Sequence, residues 1–303
     1  MSYIWDWAIN RIRKEDGASA DPTKLHDIPK ADELDWTVSP SDSDWYYKAI
    51  EAKWNDNNSV LMPYEDKLFA YWDMEETEDN DRIDRINSLA LSATGSISHR
   101  AGKIGTNALD IDYDQASFLN TTVLDDIQPN GISQGYAFSL WVYFDTITTG
   151  TSGKNMVPIL FGLQSNATTG HVNTLMADNY SDKGLRFETR ESDGSNASVV
   201  EGSDFNTIGE WIHMVCIADK TSGKIHLYRN NVEVGTGSAW DGTFYTATNL
   251  FIGGINTPGD DDFWFKGGID EVAIYRNISF TNDTEREAFV NALNNDGNGV
   301  SRV

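Results

Sequence analysis

The chain has 303 residues, 39% of them hydrophobic and 12% aromatic, and its formal net charge is −24. This length suits one large β-sandwich with an extension, or two small domains. So acidic a surface repels phosphate backbones, which argues against general nucleic-acid binding.

The first 64 residues differ in composition from the rest, because they hold five of the ten tryptophans. Residues 3–14 and 42–54 each have the pattern of a short helix. Disordered tails are poor in aromatic residues, so we predict an N-terminal docking arm over residues 1–64. The arm lacks the basic face of a membrane-surface helix, and no apolar run is long enough to insert in a bilayer. The tryptophans expected to dock against another polypeptide, either a symmetry copy in a homo-oligomer or a particle protein, are Trp5, Trp7, Trp45 and Trp54. The alternative is an arm packed wholly on its own sandwich.

Residues 65–303 read as short strands separated by turns, which is typical of a sandwich rather than βαβ units. Residues 67–73 predict the first strand, and the alternating residues 136–145 predict a central one. One helix is predicted over residues 282–293, with Asn282 as its cap, Glu285 three residues later and Gly297 after its end. Cys216 is the only cysteine, so no intrachain disulfide can form.

Several segments have the pattern of one known fold. They are residues 67–75, ending Trp-Asp-Met-Glu; 102–112, with Gly-Lys-Ile-Gly; 138–142, Phe-Ser-Leu-Trp-Val; 209–234, opening Gly-Glu-Trp-Ile-His; and 267–275, Gly-Gly-Ile-Asp-Glu-Val-Ala-Ile-Tyr. Over roughly residues 67–285 the chain resembles the laminin-G-like, or concanavalin A-like, jelly roll. The resemblance implies an all-β fold of two stacked antiparallel sheets. It also implies that Phe138, Trp141 and Trp211 point inward and fill the core.

The resemblance further implies a structural Ca²⁺ where the last strand crosses the first. Asp270 would supply a side-chain oxygen, and backbone carbonyls near Asp73 would complete the shell. Asp112 lies in an acidic run whose alternate residues share one strand face, which indicates either a solvated edge or a contribution to the same ion. Calcium takes six to eight such oxygens. In the alternative reading, Asp270 only accepts hydrogen bonds from neighbouring backbone. The acidic run is not an EF-hand, because Gln115 replaces its glycine and Thr121 its bidentate glutamate.

No catalytic residue is predicted. The hydrolase branch of the resembled family uses Glu-x-Asp-x-x-Glu, and the nearest match begins at Glu191 but has Asn196 in the acid/base position. Asp193-Gly194 within it instead predicts a hairpin turn. We therefore expect a protein that is not an enzyme.

Binding would need exposed aromatic side chains on loops. Trp240, Tyr245 and Trp264 are the candidates, because planar rings stack on sugar faces. Alternatively, these rings cover a sandwich edge or a subunit contact.

Together these features predict a non-enzymatic structural or adhesive component of a phage or virus particle, such as a decoration protein, head fibre or tail adhesin. It would be made in the cytosol without a signal peptide, since no basic lead precedes an apolar core. It would then act in the virion or another extracellular assembly, contacting other particle proteins through its arm and surface glycans through its head. The alternatives are a carbohydrate-active enzyme or an accessory carbohydrate-binding module, and a cytosolic lectin.

Overall fold

The computed structural model describes the sandwich region of the chain. The described residues are 64–77, 81–112, 117–122, 135–146, 159–164, 171–178, 184–201, 207–244, 246–254 and 265–300. The predicted docking arm lies outside them except for Tyr64. Trp5, Trp7, Trp45 and Trp54 are therefore outside the described residues, and their burial against a partner stays a prediction.

The described chain forms a short 3₁₀ helix (Glu65–Lys67), then a series of strands and one α-helix. In chain order they are β1 (Leu68–Trp72), β2 (Arg82–Ile83), β3 (Ala90–Thr94), β4 (Ser98–Ala101), β5 (Asn107–Ile111), β6 (Phe118–Thr121), β7 (Gly135–Phe144), β8 (Ile159–Gln164), β9 (His171–Asp178), β10 (Gly184–Arg190), β11 (Asn196–Val200), β12 (Trp211–Asp219), β13 (Lys224–Arg229), β14 (Val232–Ala239), β15 (Asn249–Ile252), β16 (Gly267–Ile278) and α1 (Asp283–Asn294).

The strands form two antiparallel sheets. The front sheet has the order β14-β13-β12-β7-β16-β5-β4, and β1 also pairs with β16; the back sheet has the order β11-β10-β9-β8-β15-β6-β3-β2. The inner faces pack together through one apolar core, in which the ring of Phe138 stacks on Phe161 at 4.1 Å. Most side chains of the core are wholly buried. The predicted two-sheet jelly-roll sandwich is confirmed.

Trp141 and Trp211 do not fill this core, so the sequence prediction for them is wrong. Phe138, Leu140 and Val142 belong to the inner cluster, and successive side chains of a strand point to opposite faces. Trp141 therefore projects from the outer face of the front sheet. Trp211 pairs with Tyr143 on the next strand, which places both rings on that same outer face.

Helix α1 covers part of the outer face of the front sheet. Its buried residues Phe289, Val290 and Leu293 join a second apolar cluster with Tyr275 of β16. The predicted cap is confirmed, because the Asn282 side chain accepts a hydrogen bond from the Glu285 amide at 2.9 Å. Within the described ranges, no helix combines the length and the apolar character needed to span a membrane.

Candidate functional site

A row of side chains runs across five strands on the part of this outer face nearest the β12 N-terminus. The register places Trp211 of β12 beside Tyr143 of β7, then Gly268 of β16, Asp110 of β5 and Ser98 of β4. Residues at matching positions of paired strands share one face of the sheet. The row thus joins two aromatic rings and an acid across a central glycine.

Gly268 has no side chain and so leaves space between Arg100 and Trp211, which approach it from opposite sides. A Cβ at this position would lie 2.6 Å from Cδ of Arg100 and 2.8 Å from Cη2 of Trp211. Contacts this short are not tolerated, so any larger residue would displace one of these side chains. The missing side chain leaves room for Arg100 and Trp211 to lie close above Gly268.

Arg100 is held at the centre of the site by two carboxylates and one ring. Its Nε lies 3.1 Å from Oδ1 of Asp110, and its Nη2 donates to both oxygens of Asp145, at 2.8 and 3.1 Å. Its guanidinium carbon lies 4.6 Å from the centroid of the Tyr143 ring. We call Arg100, Asp110, Tyr143, Asp145 and Trp211 the Arg100 cluster.

The Arg100 cluster offers both kinds of surface that a sugar requires. Trp211 and Tyr143 are half-buried rings whose centroids lie 5.5 Å apart. The side chains of Asp110 and Asp145 are each 30% exposed, and carboxylate oxygens keep lone pairs for further donors. Flat apolar rings beside hydrogen-bond acceptors can contact the C–H faces and the hydroxyl groups of a saccharide.

The prediction that Trp240 binds a ligand is wrong. Its side chain is only 3% exposed, its Nε1 donates to the carbonyl of Thr243 at 2.7 Å, and its ring packs on Phe244. A ring buried in the sandwich core cannot stack on a ligand. Tyr245 and Trp264 lie outside the described residues, so their role in binding stays a prediction.

Asp270 is buried where the sequence analysis expected a calcium ligand. Its carboxylate accepts hydrogen bonds from the backbone amides of Lys103, Ile104 and Glu271, at 2.8, 3.1 and 2.9 Å. Burial raises the pKa of Asp270 to about 7 although these bonds favour ionisation. Burial and the charge of Asp270 likewise raise the pKa of Glu271 to about 9.

The other two predicted calcium ligands are engaged separately. Asp73 accepts two hydrogen bonds from Arg85, at 2.8 and 2.9 Å, and Asp112 pairs with Lys266 at 3.1 Å. In the part of the chain that is described, no three Asp, Glu, His or Cys side chains are grouped to hold a metal ion. The side chains of Asp270, Asp73 and Asp112 are thus not grouped as one ligand set. The prediction assigned backbone carbonyls near Asp73 to the shell, and calcium binding stays a prediction.

The segment that partly matches the hydrolase motif is a structural hairpin. Strands β10 and β11 pair around the turn at Asp193-Gly194, where Gly194 has a φ of 92°; the predicted turn is confirmed. Glu191 accepts hydrogen bonds from the Ser195 hydroxyl and, at 2.8 Å, from the Asp241 amide. Glu191 therefore links the turn between β10 and β11 to the segment that follows β14.

His213 lies beside the site, two residues along β12 from Trp211 and on the same face as Trp141. Its Nε2 lies 2.8 Å from the Ser139 hydroxyl, and its ring centroid lies 4.8 Å from that of Trp141. Burial lowers the pKa of His213 to about 3. His213 is therefore neutral near pH 7 and packs against Trp141.

Comparisons with known proteins agree with this architecture. The family model for the concanavalin A-like lectin/glucanases superfamily matches residues 120–281, just over half of the chain. No curated protein is significantly similar in sequence.

Among solved structures, the fold is similar to domain 4 of an extracellular arabinanase from Geobacillus stearothermophilus, solved with arabinotriose. The TM-score is 0.50 at 22% identity, over 74% of this chain and 96% of that one. It is also similar to a structure of botulinum neurotoxin type C, a toxin whose cell entry is described as dependent on interaction with two ganglioside molecules. The TM-score is 0.53 at 11% identity, over 75% of this chain and 51% of that one. The binding domain of Paraclostridial mosquitocidal protein 1 gives 0.52 at 15% identity, over 75% and 52%. The match thus spans nearly all of the arabinanase domain and about half of each toxin structure. The chain belongs to the concanavalin A-like lectin/glucanase superfamily.

Proposed function

We propose that this protein is a non-enzymatic glycan-recognition protein whose ligand binds at the Arg100 cluster. The observation on which this rests is the row of Trp211, Tyr143 and Asp110 across Gly268, with Arg100 fixed between two partly exposed carboxylates. Aromatic rings beside fixed polar groups are the usual composition of a small-molecule site. A saccharide is the ligand class that contacts both the aromatic rings, through its C–H face, and the polar groups, through its hydroxyl groups.

The similar proteins support a saccharide ligand. The arabinanase domain was solved with arabinotriose, and the neurotoxin type C structure is described by its interaction with two gangliosides. At these identities the likeness extends to the fold only, so the location of the ligand is argued from this chain's own residues.

We further propose that the protein is an adhesive component of a phage or virus particle. The acidic head would face outward, and the tryptophan-rich residues 1–64 would dock it to other particle proteins. The absence of the hydrolase motif, with Asn196 in the acid/base position, favours binding without turnover over the alternative of a carbohydrate-active enzyme.

A glycan array with the full chain and its Trp211→Ala variant tests the proposal. We expect the wild type to bind a defined set of glycans and the variant to lose them, because ring truncation typically costs about 1–3 kcal/mol, up to roughly 100-fold in affinity. Asp193→Asn, in the back-sheet turn, is the control and should bind normally. Conversion of a bound glycan to products would favour the alternative that the protein is a carbohydrate-active enzyme.

A further inference from the structure

We propose that the Arg100 cluster selects neutral saccharides and rejects sugars that bear a carboxylate, such as sialic or uronic acids. The inference rests on the proposed function and specifies its ligand class. It follows from the state of Arg100, from the local charge and from the acceptors that remain available.

Arg100 has no accessible edge for a ligand carboxylate. Its Nε faces Asp110 and its Nη2 donates to both oxygens of Asp145. Its Nη1 is buried, with no hydrogen-bond partner among the described residues. Arginine recognises a carboxylate through two parallel N–H groups, and here the donors are either occupied or covered. Arg100 is therefore a positioning residue that fixes the two aspartates.

The charge of the cluster also disfavours an anion. One guanidinium faces two carboxylates, so the cluster keeps a net negative charge. Two lysines of adjoining segments are engaged as well: Lys266 pairs with Asp112 at 3.1 Å, and the Lys103 ammonium lies 4.7 Å from the centroid of the Trp141 ring. Like charges brought together at an interface oppose binding, and the whole chain carries a charge of −24.

A neutral sugar meets complementary groups at the same place. Asp110 and Asp145 are partly exposed and can each accept a further hydrogen bond from a hydroxyl group. Trp211 and Tyr143 offer apolar ring surface for the C–H face of the sugar. The described residues of the site thus accept hydrogen bonds from a ligand, and none of them presents an unpaired cation to it.

The test is a matched pair of oligosaccharides that differ only by a terminal sialic acid, titrated into the full chain. The neutral member is chosen from the glycans that the wild type binds. We expect it to bind at least roughly tenfold more tightly than its sialylated partner. Asp145→Asn should narrow this preference, because it removes one negative charge and releases Nη2 of Arg100. Asp193→Asn removes the same charge from the back sheet and should leave the preference unchanged.

The possible results separate the inference from the proposed function. If the sialylated sugar binds as tightly as the neutral one or more tightly, and Trp211→Ala abolishes both, the neutral-ligand inference is wrong and the site stands. If no glycan binds, or Trp211→Ala leaves the affinity unchanged, the proposed function is wrong and the inference falls with it. A neutral preference that disappears with Trp211→Ala supports both.

Discussion

At the scale of single residues, the buried His213 beside the site predicts a specific pH dependence of stability. The pKa of His213 is about 3 in the folded protein, against an ordinary value of 6.5. Below about pH 6.5 the unfolded chain takes up a proton that the folded protein excludes. The stability associated with neutral His213 is thus fully present above about pH 6.5 and is lost as the pH falls towards about 3.

His213→Gln removes this titration and keeps a group that can hydrogen-bond Ser139. On acidification the wild type loses the stability associated with neutral His213 and the variant does not. The free energy of unfolding of the variant minus that of the wild type should therefore grow by about 1.4 kcal/mol for each pH unit between about pH 6.5 and about pH 3. Urea unfolding of both proteins at about pH 7 and about pH 5 measures the change. If the free energies of unfolding of the two proteins changed in parallel with pH, the pKa of His213 would be the same in the folded and unfolded chain, and the prediction would be wrong.

Asp270 yields a second residue-level prediction, which concerns calcium. If a calcium ion binds the folded state alone, it stabilises the protein by about 2.7 kcal/mol at 100-fold excess over its Kd. Chelation should then lower the melting temperature, and Asp270→Ala should remove that sensitivity. A melt unaffected by chelator, together with no metal in elemental analysis, would contradict the calcium prediction.

Asp270→Ala should also have an effect that needs no metal. The variant leaves the amides of Lys103 and Ile104 without their acceptor, and an unsatisfied buried donor costs about 1–3 kcal/mol. Faster hydrogen exchange at these two amides is therefore expected with or without chelator. Comparing the two conditions separates the backbone role of Asp270 from metal binding.

At the scale of elements, the C-terminal helix acts as a cover for the front sheet. Phe289 is almost wholly buried, and its ring lies 5.1 Å from that of Tyr275 and 5.2 Å from that of Tyr64. Phe289→Ala should lower the free energy of unfolding by about 3–5 kcal/mol, because it removes a large buried side chain. The exposed Glu287, two residues earlier, is the matched control, and Glu287→Ala should change stability by no more than about 0.5 kcal/mol. Equal effects of the two substitutions would show that the helix is not packed as described.

Sequence patterns predicted the local elements well and the site poorly. The cap at Asn282 and the turn at Asp193-Gly194 depend on residues a few positions apart, so their patterns are visible in the sequence. Strand β7 has buried side chains on both faces, which concealed the alternation that sends Phe138 inward and Trp141 outward. The signal was nevertheless present, since positions separated by three residues in a strand lie on opposite faces.

The Arg100 cluster had no local signal at all. Arg100 and Asp145 are 45 residues apart in sequence. Trp211 shares their face of the sheet only because β12, β7 and β16 adopt one register. The sequence instead favours aromatic residues on loops as ligand-binding residues, and this is why Trp240 was wrongly predicted to bind. Long-range strand pairing determined the site, and pairing partners cannot be deduced from the composition of single strands.

At the scale of the whole molecule, the sandwich should fold without the N-terminal arm. The cut should precede Tyr64, because its hydroxyl donates to Glu285 at 3.0 Å and its ring packs on α1. We expect a protein that starts at Tyr64 to be soluble, to unfold cooperatively and to fail to enter its parent assembly. Normal incorporation of the truncated protein, or its failure to fold, would contradict a docking arm.

We propose that the glycan site lies on the outer face of the front sheet, in place of the loop residues Tyr245 and Trp264 that the sequence alone predicts. Calorimetric titration of one bound oligosaccharide into Trp211→Ala and Trp264→Ala, compared side by side with the wild type, tests this most directly. Our account predicts that Trp211→Ala loses at least roughly tenfold in affinity, about 1.4 kcal/mol, while Trp264→Ala binds like the wild type. Loss of binding in Trp264→Ala with full affinity in Trp211→Ala would contradict it.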